Sequence, residues 1–269
     1  LWQRMGRAMI GADVLYLPGM PQMDGASLFD ELGCYVPQEF LYRAEFSSWE
    51  ECEKIQRTRS RKKHDKQQAA KLRAMGEVSF EELGPGVKAL DAIDKMFAQK
   101  AIRFEQMGIK DPFADEDTRE FYKDLFRENN ALGAKLQVLS LNGEIVATRY
   151  NLSYMEKIFV LITSMSERAE IRPGSPGKQS ILHGMASIFQ SEFSIHDMGA
   201  GFSDEKGRWC NKKYQLNTCY LALNKKGKMA AKLHRMKARA RNAIKDNERL
   251  FKLFKAVRLA LRKNISNRT

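Results

Sequence analysis

A short segment rich in glycine and proline, RPGSPGK at residues 172–178, separates an apolar run from a helical pattern. Small residues allow a backbone to approach a ligand closely, and a helix N-terminus presents unpaired N–H groups with about half a positive charge. The segment is therefore a candidate cradle for a pyrophosphate, with a plain turn into a helix as the alternative. It does not match an ATP-binding P-loop, because Arg172 replaces the first glycine and Gln179 replaces the magnesium-binding Ser or Thr.

The first half of the chain must supply part of the framework around this segment. Ser48 and Glu51 form a capping-box pattern, which predicts that a helix starts at Trp49. The predicted elements are an opening helix with Leu1, Met5 and Met9 on one face, a strand from Ala12 to Leu17 that stops at Pro18-Gly19, a strand from Leu41 to Phe46, a helix from Trp49 to Met75, a strand from Glu77 to Phe80, and a helix from Val87 to Met107.

The second half has a clearer pattern, in which Asn142-Gly143 is a strong signal for a tight hairpin because both residues tolerate a positive φ. The predicted elements are a helix from Thr118 to Asn130, strands from Lys135 to Leu141, Glu144 to Leu152 and Lys157 to Ser164, a helix from Lys178 to Phe193, and strands from Ser194 to Met198 and Tyr214 to Leu223. This order predicts an α/β fold built around a largely antiparallel sheet flanked by helices.

The order helix, hairpin, central strand, Arg-x-x-Ser-x-Gly loop, helix, strand resembles the GNAT acyltransferase fold. Within that superfamily the chain is most similar to acetyltransferases of the cellulose-biosynthesis (CelD/BcsL) type, which are related to FemAB-like tandem GNAT proteins. Three motifs carry the resemblance: Ser60-Arg61-Lys62, then Ser175-Pro176-Gly177 with Leu182, then Asp197-Met198-Gly199-Ala200-Gly201 followed by Lys206 and Trp209. Two positions depart from the pattern, since Ser175 replaces the first glycine of the general loop and Glu205 replaces a tyrosine.

The resemblance implies two GNAT-like halves, at residues 1–108 and 109–223, followed by a basic helical tail at 224–269. Because the sequence starts without a methionine inside an amphipathic pattern, the first half is expected to lack its start. The resemblance also implies that acetyl-CoA, the acyl donor, binds in the second half. Four residues are then expected to lie at its pyrophosphate: Arg172, Ser175, Gly177 and Lys178.

The resemblance implies a mechanism in which an acceptor amine or hydroxyl attacks the thioester directly. This mechanism requires a base and stabilisation of an oxyanion. Asp197 is a candidate base, although it could equally cap backbone N–H groups of the loop that follows it. Lys206 is a candidate for binding substrate or polarising the carbonyl, with an ordinary exposed lysine as the alternative. His183, one turn into the helix after the loop, is a third candidate, although a lone helix histidine is more often a packing residue.

Three further residues are assigned to substrate binding through the resemblance: Arg61, Lys62 and Trp209. Without it, the basic run around Arg61 would be interpreted as a solvated helix face. A metal site is not expected, because the four cysteines show no close pair such as CxxC and the chain has only four histidines.

Charge is concentrated at one end of the chain. The net charge is +13, yet residues 224–269 alone carry 16 Lys and Arg against 2 Asp and Glu, which leaves the remainder close to neutral. The tail has apolar residues at helical spacing, so it could dock on the body, lie on an anionic membrane surface or bind nucleic acid. Nucleic acid is the least favoured of these partners, because Phe251 and Phe254 are the tail's only aromatic residues.

These observations predict an acyl-CoA-dependent acetyltransferase that modifies a small-molecule or saccharide acceptor in polysaccharide or cell-envelope biosynthesis. The alternative is a non-catalytic GNAT scaffold that docks on a membrane or nucleic acid through its basic tail. No run approaches the ~20 apolar residues needed to span a bilayer. The expected location is therefore cytoplasmic, with peripheral attachment at the inner membrane face through the tail.

Overall fold

The structure is a computed structural model that describes residue 8 and residues 11–22, 35–127 and 133–246. It has a mixed α/β fold in which an eight-stranded sheet is flanked by helices, as the sequence predicts. The predicted opening helix, apart from Ala8, and the tail beyond residue 246 lie outside the described residues.

The strands are β1 (Val14–Pro21), β2 (Tyr35–Glu45), β3 (Val78–Leu83), β4 (Gly133–Leu141), β5 (Glu144–Tyr154), β6 (Lys157–Met165), β7 (Ile195–Ala200) and β8 (Lys212–Ala222). The helices are α1 (Trp49–Gln56), α2 (Arg59–Arg73), α3 (Val87–Gln106), α4 (Glu116–Asp124), α5 (Pro176–Phe189), α6 (Asp204–Trp209) and α7 (Lys225–Asp246), with a 3-10 turn at Arg172–Gly174.

The chain forms two compact units, one of residues 1–40 with 214–269 and one of residues 41–213. In the smaller unit β1 pairs antiparallel with β8, and a hydrogen bond of 2.6 Å joins the Tyr220 hydroxyl to Nδ1 of His234 on α7. Strand β1 continues past Pro18-Gly19, where the sequence predicted its end, because a register shift between Leu17 and Met20 accommodates the turn dipeptide. The predicted boundaries at residues 108 and 223 stay predictions.

In the larger unit the strands follow the order β2-β7-β6-β5-β4-β3, and every neighbouring pair is antiparallel except β6 with β7. The parallel pair is short. It extends from Lys157 opposite Ile195 to Phe159 opposite Asp197, so residues 160–165 of β6 have no partner in β7. The second half of β6 therefore presents an unpaired backbone edge.

The hairpin between β4 and β5 is the one that the sequence predicts. Asn142 and Gly143 have φ values of 52° and 75°, the left-handed region that a tight hairpin turn of this kind requires. The Asn142 side chain also accepts a hydrogen bond of 2.8 Å from the Glu77 N–H, which ties the turn to the chain entering β3.

The helix predicted from Trp49 to Met75 is wrong as a single element, because the chain is extended at Arg57 and starts a second helix at Arg59. The Thr58 hydroxyl accepts a hydrogen bond of 3.2 Å from the Arg61 N–H and so caps this second helix. The predicted cap at Ser48 is confirmed, since its hydroxyl accepts a hydrogen bond of 3.2 Å from the Glu51 N–H.

Apolar side chains hold the helices on the sheet of the larger unit. Phe97 of α3 and Phe126 pack against Leu136 and Tyr150 of the central strands, and all four are almost completely buried. A second cluster packs α5 against β6 and β7, and a third buries Leu72 of α2 against β4 and β5 beside Ile171. These clusters fix the positions of α2, α3 and α5, which surround the candidate site.

Candidate functional site

A cavity of about 470 Å³ lies beside the second half of β6 and the first turn of α5. Two carboxylates line it, Glu167 and Glu205. Its cationic lining residues are Lys100, Arg103, Arg149, Arg172 and Lys178. With five cations against two carboxylates, the cavity suits an anionic ligand.

The predicted cradle forms one wall of this cavity, which Arg172, Ser175, Gly177 and Lys178 all line. Ser175 adopts a left-handed conformation with φ 48°, and its carbonyl accepts hydrogen bonds from the N–H groups of Lys178 (2.9 Å) and Gln179 (3.1 Å). Pro176 has no N–H to donate. The expected row of unpaired N–H groups is therefore wrong, because Gly177 has the only free N–H among the first four residues of the described helix α5.

Helix α2 packs against the cradle. The Gln68 side-chain amide donates a hydrogen bond of 2.7 Å to the Ser175 hydroxyl, and the Gln179 side-chain amide donates one of 3.2 Å to the Asp65 carbonyl. Gly174 lies so close to α2 that a Cβ atom there would be 2.8 Å from Cβ of Leu72. The helix that carries the Ser-Arg-Lys motif thus determines where the Ser-Pro-Gly loop lies.

An ion-pair cluster forms part of the cavity lining. Glu167 lies 3.3 Å from the guanidinium of Arg103 on α3 and 3.3 Å from that of Arg172 in the cradle loop. Met165 covers Gly177 closely, because a Cβ at Gly177 would lie 2.9 Å from the Met165 Sδ atom. Any side chain at Gly177 would therefore displace Met165 or occupy the cavity.

A second cavity of about 320 Å³ adjoins the first, and Lys178 and Glu205 line both. The Arg61 guanidinium lies 4.3 Å from the centroid of the Trp209 ring and donates hydrogen bonds to the carbonyls of Gln56 (3.0 Å) and Arg208 (2.9 Å). Burial lowers the pKa of Arg61 from its ordinary value. Two of the three predicted substrate-binding residues, Arg61 and Trp209, therefore lie together at this cavity.

Lys62, the third predicted substrate-binding residue, lines neither of these cavities. Its ammonium group pairs with Glu53 at 2.9 Å. The side chain therefore contacts helix α1 and does not reach the sites that Arg61 and Lys178 line.

Asp197 and Lys206 do not line either cavity, and both contact the backbone at the end of β7. One oxygen of Asp197 accepts a hydrogen bond of 2.8 Å from Arg43 Nε, and the other accepts one of 2.9 Å from the Gly199 N–H. Lys206 donates to the carbonyls of Ala200 and Gly201. The structure thus shows the loop-capping interaction of Asp197, and its role as a base stays a prediction.

His183 is not among the lining residues of either cavity. Its ring stacks on Phe80, with centroids 5.2 Å apart and an angle of 22° between the planes. Burial, and secondarily the nearby Arg73, lower its pKa below the ordinary value, so the imidazole is neutral at pH 7. This environment is that of a packing residue.

Sequence reasoning missed a set of buried polar groups in the first cavity. The Thr148 hydroxyl lies 2.7 Å from that of Ser164, which donates to the Gln99 side-chain carbonyl at 2.6 Å. Arg149 and Ser180 complete this buried lining. A signal was available, because an arginine in the middle of a largely apolar hairpin strand requires an explanation.

The residues that the structure describes contain no group of three or more His, Cys, Asp or Glu side chains arranged to hold a metal ion. None of their helices combines the length and the apolar composition that crossing a membrane requires.

Comparison with protein families relates the sequence to acetyltransferases. A family model described as an acetyltransferase (GNAT) domain matches residues 59–207, which include α2, the cradle and all lining residues of the first cavity. No curated protein matches the chain.

Solved structures share the fold at low identity. The C-terminal domain (DUF2156) named as that of a lysylphosphatidylglycerol synthetase from Agrobacterium fabrum gives a TM-score of 0.58 at 9% identity, over 87% of this chain and 75% of that chain. L-PGS from Bacillus licheniformis gives a TM-score of 0.54 at 13% identity, over 79% of this chain and 68% of that chain.

Proposed function

The chain belongs to the GNAT acetyltransferase domain family, and we propose that it transfers an acyl group from acetyl-CoA or a related acyl-CoA to an amine or hydroxyl acceptor. The donor occupies the larger cavity and the acceptor approaches from the smaller one. The observation that carries this proposal is the juxtaposition of five cations and the free Gly177 N–H around one cavity at the start of α5.

The cations of the cavity suit the phosphates of coenzyme A. Lys178 and the Gly177 N–H lie at the helix N-terminus, where the helix dipole also favours an anion. Arg172 is exposed at the same wall and can reorient towards a phosphate, since its present partner Glu167 is shared with Arg103. The site thus combines point charges with one backbone donor.

The unpaired edge of β6 gives the remainder of the donor a place to bind. Beyond Phe159 this strand has no hydrogen-bonding partner in β7, so its backbone groups can pair with the amide groups of an extended ligand. A chain bound there would lead from the cradle towards the point where β6 and β7 separate. With the donor bound in this way, we expect its thioester near the middle of the sheet.

The transfer itself requires no covalent enzyme intermediate. The acceptor nitrogen or oxygen attacks the thioester carbonyl, a C–N or C–O bond forms, and the C–S bond breaks to release coenzyme A. The acceptor loses one proton to a base, and the departing thiolate takes up one proton. Backbone N–H groups on the free edge of β6 are the donors we assign to the carbonyl oxygen during attack.

Glu205 is the carboxylate that we assign to the proton transfer. It lines both cavities, so it faces the donor and the acceptor together. Its ion pair with Arg208 is 3.3 Å long, whereas both oxygens of Asp197 already accept hydrogen bonds shorter than 3 Å. Glu205 also occupies the position at which the chain departs from the CelD/BcsL pattern, so its role is specific to this chain.

For the acceptor we propose a saccharide or small molecule of cell-envelope polysaccharide synthesis. The support for this finer assignment is the set of three motifs shared with the CelD/BcsL type. In the smaller cavity, Arg61 over Trp209 supplies a cation and Thr58, Ser60 and His64 supply polar groups. Such a lining suits a polar acceptor.

Thermal unfolding with and without acetyl-CoA tests the function. Saturating ligand should raise the melting temperature by about 5 °C or more, because it binds only the folded state. The variant Gly177→Glu should lose this shift, since its carboxylate would lie where the pyrophosphate binds. Gly84→Glu adds the same charge at a glycine with open space around it, and it should keep the shift. Absence of a shift in the wild-type protein would contradict the proposal.

A further inference from the structure

Arg149 is a buried guanidinium for which the described residues provide no carboxylate partner. The residue is 2% exposed, and no ion pair within 4.0 Å involves it in the part of the chain that the structure describes. Burial lowers its pKa to about 10, so it still carries its charge at pH 7. A buried charge without a counter-charge is costly, so proteins rarely keep one without a use.

The surroundings of Arg149 leave part of its donor capacity unused. Nη2 lies 3.3 Å from Nε2 of His196, whose pKa is held well below the ordinary value by burial and by the Arg149 charge itself. The imidazole is therefore neutral and accepts this hydrogen bond. The Arg149 Nε atom has no partner, and a Cβ at Gly184 would lie 3.1 Å from it.

A second unpartnered polar group lies in the same cavity. Ser180 of α5 is 2% exposed, and its hydroxyl has no hydrogen-bond partner among the described residues. Arg149 and Ser180 both line the cavity assigned to the acyl donor. A guanidinium and a hydroxyl that share a buried wall offer the donors that a carboxylate prefers.

We propose that the buried part of this cavity binds a carboxylate carried by one of the two reactants, with Arg149 as its cation and Ser180 as a hydrogen-bond donor. The inference rests on the proposed function, because it needs the cavity to be the acyl-transfer site. Since the donor occupies this cavity, the carboxylate comes either from the far end of a dicarboxylic acyl chain or from an acceptor that reaches in.

Arg43 provides a matched contrast within the same unit. It is 7% exposed, comparably buried, but it pairs with Asp197 at 2.8 Å. Removing one partner of a buried ion pair leaves the other charge uncompensated. Replacing a lone buried charge by an apolar side chain of similar size instead removes its desolvation cost and leaves no charge behind. Arg149→Met should therefore keep or raise the melting temperature, and Arg43→Met should lower it.

The acyl-chain source is tested by calorimetric titration with two stable thioethers, S-butyl-CoA and S-(3-carboxypropyl)-CoA, which differ by one carboxylate. The acceptor source is tested by coenzyme A release from acetyl-CoA with amino acids and with the corresponding decarboxylated amines. If the proposal holds, wild-type protein prefers the carboxylate-bearing member of one of these pairs by about tenfold or more. The pair that shows the preference identifies the source.

The variants separate binding from structure. Arg149→Met should abolish the preference although the variant still binds S-butyl-CoA, and Ser180→Ala should reduce the preference without abolishing it. The proposal is overturned if wild-type protein binds S-butyl-CoA but prefers no carboxylate in either pair, or if Arg149→Met keeps the preference. Failure of wild-type protein to bind any of the CoA compounds would instead contradict the proposed function.

Discussion

The side-chain amide of Gln68 donates a hydrogen bond of 2.7 Å to the hydroxyl of Ser175, across 107 positions of sequence. Gln68 lies on the helix that begins with the Ser-Arg-Lys motif, and Ser175 begins the Ser-Pro-Gly loop. The bond holds Ser175 in its left-handed conformation, in which its carbonyl accepts two N–H groups of the next helix. Two motifs that are far apart in the sequence therefore act as one structural unit.

The Gln68–Ser175 bond should matter for ligand affinity as well as for stability. Gln68→Ala should lower the free energy of unfolding by about 1 kcal/mol, because the half-buried Ser175 hydroxyl loses one of its hydrogen-bond partners. It should also weaken acetyl-CoA binding, since the cradle is less well fixed. Denaturant unfolding and calorimetry measure the two effects. Gln67→Ala changes an exposed neighbour and should alter neither; equal effects in both variants would contradict this explanation.

Gly174 should tolerate no side chain. In Gly174→Ala the new Cβ would lie 2.8 Å from Cβ of Leu72, so the loop and α2 must move apart at a cost of about 1–3 kcal/mol. Gly84→Ala places the same methyl group in open space and serves as the control. Denaturant unfolding of both variants gives the comparison. If the two differ by less than the experimental error, the close approach of loop and helix is not present in solution.

Glu205→Gln should lower kcat by about a hundredfold or more with little change in the affinity for acetyl-CoA, because the amide cannot accept the acceptor's proton. Asp204→Asn removes a neighbouring exposed carboxylate and should stay within a few-fold of wild type. Steady-state release of coenzyme A with a working acceptor gives these values. A Glu205→Gln enzyme with wild-type kcat would remove Glu205 from the mechanism.

Cys52 and Cys210 should be inert in the native protein. Burial raises the pKa of each thiol to about 12, so at pH 8 only about one molecule in ten thousand carries the thiolate. Iodoacetamide at pH 8 should leave both cysteines unmodified by mass spectrometry until urea unfolds the protein. Alkylation of native Cys210 with parallel loss of activity would instead indicate a covalent acyl-enzyme route.

Local signals in the sequence predicted a large part of the fold. The hairpin at Asn142-Gly143 and the position of the cradle loop follow from residues that are adjacent in the chain. The break at Arg57 was missed because both flanking segments favour a helix, and the Thr58 cap lacks the acidic residue that would complete a capping box. The start of α5 was also predicted two residues late. The prediction placed it at Lys178, whereas the helix begins at Pro176, since proline is well suited to the first position of a helix.

The parts of the candidate site that belong to a sequence motif were predictable. The parts that depend on packing between distant segments were not. Arg172, Ser175, Gly177 and Lys178 were predicted from the loop pattern and all line the first cavity, and their binding of acetyl-CoA stays a prediction. The sequence did not predict how many N–H groups are free at the start of α5, because that number depends on the left-handed conformation of Ser175. Arg149 was missed since only the packing of α5 over β5 shows that its charge is buried and unpaired, so long-range contacts decide its role.

Calorimetric titration of the protein with acetyl-CoA tests the central claim most directly, in wild type and in two variants with the same change of charge. Lys178→Glu reverses a cation at the cradle, and Lys66→Glu reverses an exposed one on α2. We expect one acetyl-CoA per wild-type chain, an affinity at least about tenfold weaker in Lys178→Glu, and a nearly unchanged affinity in Lys66→Glu. No binding to wild type, or equal binding by Lys178→Glu and wild type, would contradict the assignment of this cavity to the acyl donor.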